Sequence, residues 1–266
     1  SADTVLLIPR WGIEQRVPPM SENPQGVTGI LALLLERLDL ASRALTIEAF
    51  PNVPRAMGLG GSSALAVAVI RALSDHFKLD LNNERVNELA FECERAAHGT
   101  PSGVDNTIAT YGSTLLFENN GSPSFQEVRP AGSVSIAIGI SGKESLTATT
   151  VAQVRKAWER QPERYERIFD QIGDLTRAGT EALQDGAYQE LGELMNLCQG
   201  YLNALQVSTP ELEELIHIAR RRGAVGAKLT GGGGGGSVIA LCPDGADDVV
   251  DAMQNSGFEA LSFELA

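Results

Sequence analysis

Pro54-Arg55-Ala56-Met57-Gly58-Leu59-Gly60-Gly61-Ser62-Ser63-Ala64 is the stretch on which the reading of this sequence turns. Gly58, Gly60 and Gly61 let the backbone approach a ligand with no side chain in the way. Behind them Leu65, Val69, Leu73 and His76 or Phe77 recur at helical spacing, which predicts a helix running from a Ser62 or Ser63 cap to Phe77. A glycine loop that enters a helix presents backbone N–H groups and the positive end of the helix dipole, and together these hold an anion such as a phosphate. Of the two serines, one can cap the helix or bond phosphate while the other reaches a magnesium ion. A plain turn with an N-cap would use the same residue types. The loop lacks the Gly-Lys-Ser/Thr ending of a Walker loop, and the chain has no His-Arg-Asp or Asp-Phe-Gly triplet, so a nucleotide site here is of another design.

Further along, His98-Gly99-Thr100-Pro101-Ser102-Gly103-Val104-Asp105-Asn106 places one carboxylate in a tight turn, and Glu94 lies on the helix before it. Phosphoryl transfer needs an aligned acceptor hydroxyl, a group that accommodates its proton, and a cation on the phosphates. Asp105 suits the hydroxyl and Glu94 suits a hard metal ion. Glutamate on a helix is more often a solvated surface acid, and His98 can equally be a hydrogen-bonded structural histidine.

The surrounding chain reads as α+β. Strands are expected at Thr4–Ile8, Ala44–Ala49, Thr114–Phe117, Phe125–Val128, Val134–Ile140, Ala227–Thr230 and Ser237–Cys242, with a turn at Asn119-Asn120-Gly121-Ser122. Helices are expected at Gly26–Leu38, Asn83–Ala97, Thr147–Arg160, Pro162–Asp185, Tyr188–Leu205 and Pro210–Arg222, and a last helix and strand close the chain. Pro130-Ala131-Gly132 is the expected boundary, giving domains 1–131 and 132–266. Gly231 to Gly236 form a run of six glycines between two strand-like pieces. Such a run can fold closely over phosphates or act as a flexible linker; Lys228 before it can touch phosphate or lie on a strand edge.

Composition narrows the partners. A net charge of −13 over 266 residues argues against nucleic acid or an anionic membrane surface, both of which need clustered cations. The three cysteines, Cys93, Cys198 and Cys242, are far apart and suggest neither a disulfide framework nor a zinc site, which fits a reducing cytoplasm. No segment has the apolar length of a membrane span or the pattern of a secretory leader, so a soluble cytoplasmic protein is expected.

Three patterns resemble one superfamily. Pro54-x3-Gly58-Leu59-Gly60-Gly61-Ser62-Ser63-Ala64, Glu94-x3-His98-Gly99-x-Pro101-Ser102-Gly103-x-Asp105-Asn106 and Lys228-Leu229-Thr230 with its glycines are similar to motifs of the GHMP kinases, named for galactokinase, homoserine kinase, mevalonate kinase and phosphomevalonate kinase. The second pattern most resembles the mevalonate-kinase form. The resemblance implies a ribosomal-protein-like N-terminal domain and a ferredoxin-like C-terminal domain, with ATP and a small alcohol between them. It implies ATP contacts at Pro54, Met57, Gly58, Leu59, Gly60, Gly61, Ser62, Ser63, Ala64, Gly232 and Gly233. It also implies Mg2+ at Ser62 and Glu94, Asp105 as the catalytic residue, and His98, Ser102 and Thr230 near the substrate.

The implied reaction is phosphorylation of mevalonate to 5-phosphomevalonate. A related kinase for phosphomevalonate or a sugar, and a non-catalytic ligand-binding relative, are the alternatives, and a homodimer stays open. Two departures stand out. Gly61 replaces the serine of the commoner form, and the Gly-Glu-His-type front motif with its lysine is not found, the first of four lysines being Lys78. The front of the N-terminal domain is therefore expected to be missing.

Overall fold

Leu6 and Ile8 alternate with more exposed neighbours, and β1 (Val5–Ile8) accordingly turns both into the core, at 1% and 0% exposure. In the computed structural model, which describes residues 3–20, 26–99, 101–119, 121–145 and 147–266, the chain forms two units. Unit 1 comprises Ser1–Arg55 and Gly60–Gln126; unit 2 comprises Ala56–Leu59 and Glu127–Ala266. Thr100 and Asn120, which the sequence reading includes in its second motif and its turn, lie outside the described residues.

In unit 1 a 3-10 turn over Pro9–Trp11 leads from β1 into an antiparallel β2 (Ile13–Arg16), and α1 (Gly26–Arg37) returns the chain to β3 (Thr46–Glu48), parallel to β1. Strand β2 was not expected. Its Ile13-Glu14-Gln15-Arg16 has no alternating apolar set, and its strand form comes from the β1 partner. Three helices follow, α2 (Gly61–Phe77), α3 (Asn83–His98) and α4 (Val104–Tyr111), then a separate hairpin of β4 (Leu115–Asn119) and β5 (Pro123–Glu127). Leu34 and Leu35 of α1, Ile70 and Leu73 of α2, and Val86, Leu89 and Ala90 of α3 share one core with Leu6 and Ile8. Each large aliphatic side chain buried there contributes about 1.5–3 kcal/mol.

Two sequence expectations are corrected here. The cap of α2 is Gly60, in a left-handed conformation at φ 64°, so Ser62 and Ser63 fall inside the first turn and neither caps it. Asp105 does not sit in a bare turn: it is the second residue of α4, which starts after Gly103 at φ 91° and stops at Gly112. Eight residues are too short to show a helical period, and Pro101-Ser102-Gly103 carries turn chemistry.

Unit 2 is built on β6 (Val134–Ile140), β7 (Gly226–Thr230), β8 (Ser237–Cys242) and β9 (Glu259–Leu265) in the order β7-β8-β6-β9, every pair antiparallel. Helices α5 (Thr147–Arg160), α6 (Pro162–Asp185), α7 (Tyr188–Ala204) and α8 (Pro210–Arg221) separate β6 from β7, and α9 (Asp247–Asn255) separates β8 from β9. This is the strand order of a ferredoxin-like sheet, with the first crossover enlarged to four helices. One face packs on Leu212, Leu215 and Ile216 of α8 and on Val249 and Met253 of α9. Gly139 of β6 makes that packing possible, because a Cβ there would stand 2.7 Å from Leu215 Cδ2 and 2.8 Å from Met253 Sδ.

Helix α7 lies backbone to backbone against β7. A Cβ on Gly226 would meet Gly192 O at 2.4 Å, and one on Gly192 would meet the Val225 carbonyl carbon at 2.6 Å. Asn196 donates to Val225 O and accepts from Ala227 N, and Gln199 accepts from Leu229 N. Among the described residues, no helix is long and apolar enough to cross a membrane.

Candidate active site

Within unit 1 the reactive groups gather at the start of α2 and the facing ends of α3 and α4. Gly60 turns the chain into α2 with no side-chain cap among the described residues, so the first-turn N–H groups face outward with the helix dipole behind them. Asp105 lies directly against this turn: a Cβ on Gly60 would stand 3.6 Å from its Oδ1. The absence of a side chain at residue 60 therefore serves two ends, the left-handed backbone and room beside the carboxylate.

Helix α4 aims Asp105 through two ties, one buried and one part-buried. Thr107 Oγ1 donates to Gly103 O at 2.7 Å, closing the first turn, and the Asn106 amide donates to Asn87 Oδ1 at 2.6 Å, fastening α4 to α3. Ser102 Oγ accepts from Val104 N at 3.3 Å, so it helps to start α4, and its carbonyl accepts from Asn119. Sequence reasoning missed Asn87 and the tie it makes, because a contact between residues this far apart leaves no local signal.

Glu94 is 5% exposed, and its one ion-pair partner among the described residues is His98 Nε2, one helical turn on and 3.8 Å away. An ionised carboxylate at such depth calls for a cation. Asp105 keeps a face open to solvent, yet protein crowds its other sides. That withdrawal from water pushes its carboxyl above the ordinary range; the charge of Glu94 pushes the same way, and His98 pulls it back. Ser63 is fully buried, and its hydroxyl has no partner among the described residues, whereas Ser62 is exposed in the same turn.

Glu94, Ser62 and the orphaned Ser63 hydroxyl are hard oxygen donors, few in number. Among the described residues no group of three or more His, Cys, Asp or Glu side chains is placed to hold a metal ion. Such a set fits magnesium, which takes few protein ligands and fills the rest with water and phosphate. Of the other predicted residues in unit 1, Pro54 is half-buried with its carbonyl beside Gly61, Ala64 is exposed and His98 is exposed.

Unit 2 gathers the rest. Met57 O accepts from Ser237 Oγ at 2.8 Å, Leu59 is half-buried, and a Cβ on Gly58 would stand 3.3 Å from Thr230 O. The six-glycine run is not a linker. A Cβ on Gly233 would be 2.3 Å from Val207 O, one on Gly235 2.5 Å from Glu144 O, one on Gly232 2.6 Å from Thr147 Cγ2, and one on Gly231 2.9 Å from Gly58 O. Ser145 knots these pieces: its N–H donates to Ala56 O at 2.8 Å and its hydroxyl to Gly233 O at 3.0 Å. Lys228 is spent internally, donating to Leu229 O at 2.8 Å, and burial pulls its pKa down.

Comparison with known proteins shows the family. Residues 26–113 match the family described as GHMP kinases N terminal domain, and residues 180–259 match GHMP kinases C terminal. The mevalonate kinase of Methanothermobacter thermautotrophicus is 36% identical over 268 residues, covering 100% of this chain and 85% of the relative. That of Thermococcus gammatolerans is 34% identical over 241 residues, covering 89% of this chain and 71% of its own length. Among solved structures, L. major mevalonate kinase in complex with R-mevalonate superposes with a TM-score of 0.82 at 30% identity, over 100% of this chain and 83% of that one.

Proposed function

We propose that this chain, which belongs to the GHMP kinase family, transfers the terminal phosphoryl group of ATP to the primary hydroxyl of mevalonate. The family supplies ATP as donor and a small molecule as acceptor; mevalonate is the reading favoured by relatives of that name over most of the chain. The observation that carries the catalytic part is the Asp105 carboxylate lying against Gly60 at the uncapped start of α2. Phosphates drawn to the N–H groups of Gly60 to Ser63 would thus be received beside an acid able to orient the acceptor hydroxyl.

Asp105 accepts the hydroxyl proton as the new P–O bond forms. The transition state is loose and needs little early proton removal, so alignment and electrostatics are the larger part of its work. Burial and the charge of Glu94 push its carboxyl up, which makes the carboxylate a stronger base than a free one. Ser62 and Glu94 would hold Mg2+, which when bound neutralises phosphate charge; Ser63 gives the same turn a second hydroxyl. His98 and Ser102, in the same unit as Asp105, are assigned to the acceptor side.

The test is ADP release measured with mevalonate, phosphomevalonate and galactose as acceptors, in the unsubstituted chain and in Asp105→Asn. Turnover is expected with mevalonate, and a kcat about 10²–10⁴-fold lower is expected in the variant with ADP binding retained. Near-normal kcat would return Asp105 to a helix-start residue, and turnover confined to another acceptor would replace mevalonate in this reading.

A further inference from the structure

Helix α4 is poorly equipped to set its own direction. It has eight residues, is entered at Gly103 with φ 91° and left at Gly112 with φ 67°, and its glycine cap brings no side chain to the first turn. A helix this short is marginal without tertiary support. Its tilt, and with it the aim of Asp105, therefore depends on what holds each end.

Both ends are held to α3, all within unit 1, but by different means. Asn83 and Asn87 lie one turn apart on α3. At the far end of α4, Arg71 of α2 donates to Thr110 O at 2.8 Å and to Asn83 Oδ1 at 2.9 Å, so a cation bridges the closing carbonyls of the helix. At the near end the tie is Asn106, the residue after Asp105. It is 3% exposed, its amide donates to Asn87 Oδ1 at 2.6 Å and to Asn87 O at 3.4 Å, and its own Oδ1 has no partner among the described residues. Both hydrogen bonds of that side chain thus end on one residue. An unmet buried carbonyl costs stability, so this amide pair is a poor choice for a brace alone; what it supplies that apolar packing does not is a direction.

We propose that Asn87 is a positioning residue for phosphoryl transfer: its side-chain oxygen, by holding the Asn106 amide, fixes the first turn of α4 and so the place of the Asp105 carboxylate. Without it the helix stays anchored at Thr110 through Arg71, and its near end is free to swing. A small displacement of a group that must meet the acceptor hydroxyl costs rate rather than binding. This inference rests on the kinase reading above and adds to it a residue outside the three motifs.

The experiment measures ADP release with mevalonate, and calorimetric ADP binding, in the full chain carrying Asn87→Leu, Asn87→Asp or Asn83→Ala, well below each melt. Asn87→Leu, which keeps the size and removes the acceptor, should lower kcat about 10- to 100-fold and leave the acceptor KM and ADP affinity within about twofold. Asn87→Asp keeps an acceptor for the Asn106 amide and should hold kcat within about threefold of the unsubstituted chain. Asn83→Ala loosens the far end of α4 and should change kcat less than about twofold. In an Asp105→Asn background the kcat loss from Asn87→Leu should vanish, because residue 87 acts through that carboxylate. Unchanged kcat in Asn87→Leu would overturn the proposal, as would an equal loss in Asn83→Ala, no recovery in Asn87→Asp, or a loss that persists without the Asp105 charge. If Asn87→Leu does not fold, Asn87→Ala is read in its place by the same comparisons. An unsubstituted chain that releases no ADP with any acceptor would overturn the kinase reading and this inference with it, an outcome distinct from turnover that ignores residue 87.

Discussion

The two glycine-rich stretches use the same residue for opposite purposes. At Gly60 and Gly61 an added Cβ would find neighbours only at 3.6 Å or more, so the space beside the backbone is largely open and is kept open. At Gly231, Gly232, Gly233 and Gly235 it would strike atoms at 2.3–2.9 Å, so that space is already filled by the protein itself. The first stretch leaves room for something the chain does not supply; the second is a joint. Glycine spacing in a sequence therefore marks close approach without saying whether a ligand or another part of the fold approaches.

Gly233→Ala is the harshest way to break this contrast. A methyl group 2.3 Å from Val207 O, on a backbone at φ 73°, should cost about 3 kcal/mol or more, read as a lowered urea midpoint. Stability close to the unsubstituted chain would mean that the run is loose. Gly60→Ala should separate folding from function. The left-handed backbone costs about 1–2 kcal/mol with any side chain, and the methyl group takes the space kept open beside Asp105, so kcat/KM should fall at least about tenfold while a cooperative melt persists. An inactive, unfolded variant would make the first stretch a joint too.

Charge distinguishes the open stretch further. Because the Asp105 carboxyl is pushed up, the fold penalises its ionised form, and at pH above the Asp105 pKa Asp105→Asn should melt higher than the unsubstituted chain. That advantage shrinks as pH falls through the Asp105 pKa, where the unsubstituted carboxyl becomes neutral. His98 opposes the shift, so His98→Gln should move the acid limb of the kcat profile to higher pH; a move to lower pH would remove His98 from the site. The smallest effect is expected at Gly61, which lies in the helix at an ordinary φ with neighbours at 3.6 and 3.7 Å. Gly61→Ala should be neutral or add about 0.4–1 kcal/mol of stability by thermal melting, and a clear loss would show hidden crowding.

Elements with a long period were legible from the sequence. Leu212, Leu215, Ile216 and Ala219 announce α8, and Val134–Ile140 announces β6, because in each the buried set follows from local spacing. What was not legible depends on distant partners. Strand β2 needs β1, α4 is too short to show a period, and nothing in Ala56–Leu59 reveals that its backbone is bonded to Ser145 and Ser237. The candidate site divides the same way. Asp105 and Glu94 stood out by type and spacing, whereas the burial of Ser63 and the Asn87–Asn106 tie exist only once the helices and loops are assembled.

The close seating of α7 on β7 bears on what this protein can do when crowded with copies of itself. An end strand with bare N–H and C=O groups is a template on which another chain can add, and aggregation grows from such rims. Here Asn196 and Gln199 occupy Val225 O, Ala227 N and Leu229 N, and the paired glycines at 192 and 226 bring the helix too near for any strand to slip between. A bulkier residue at 192 would lift α7 away, so its first visible harm would be sticky, insoluble protein at concentrations where the native chain stays clear.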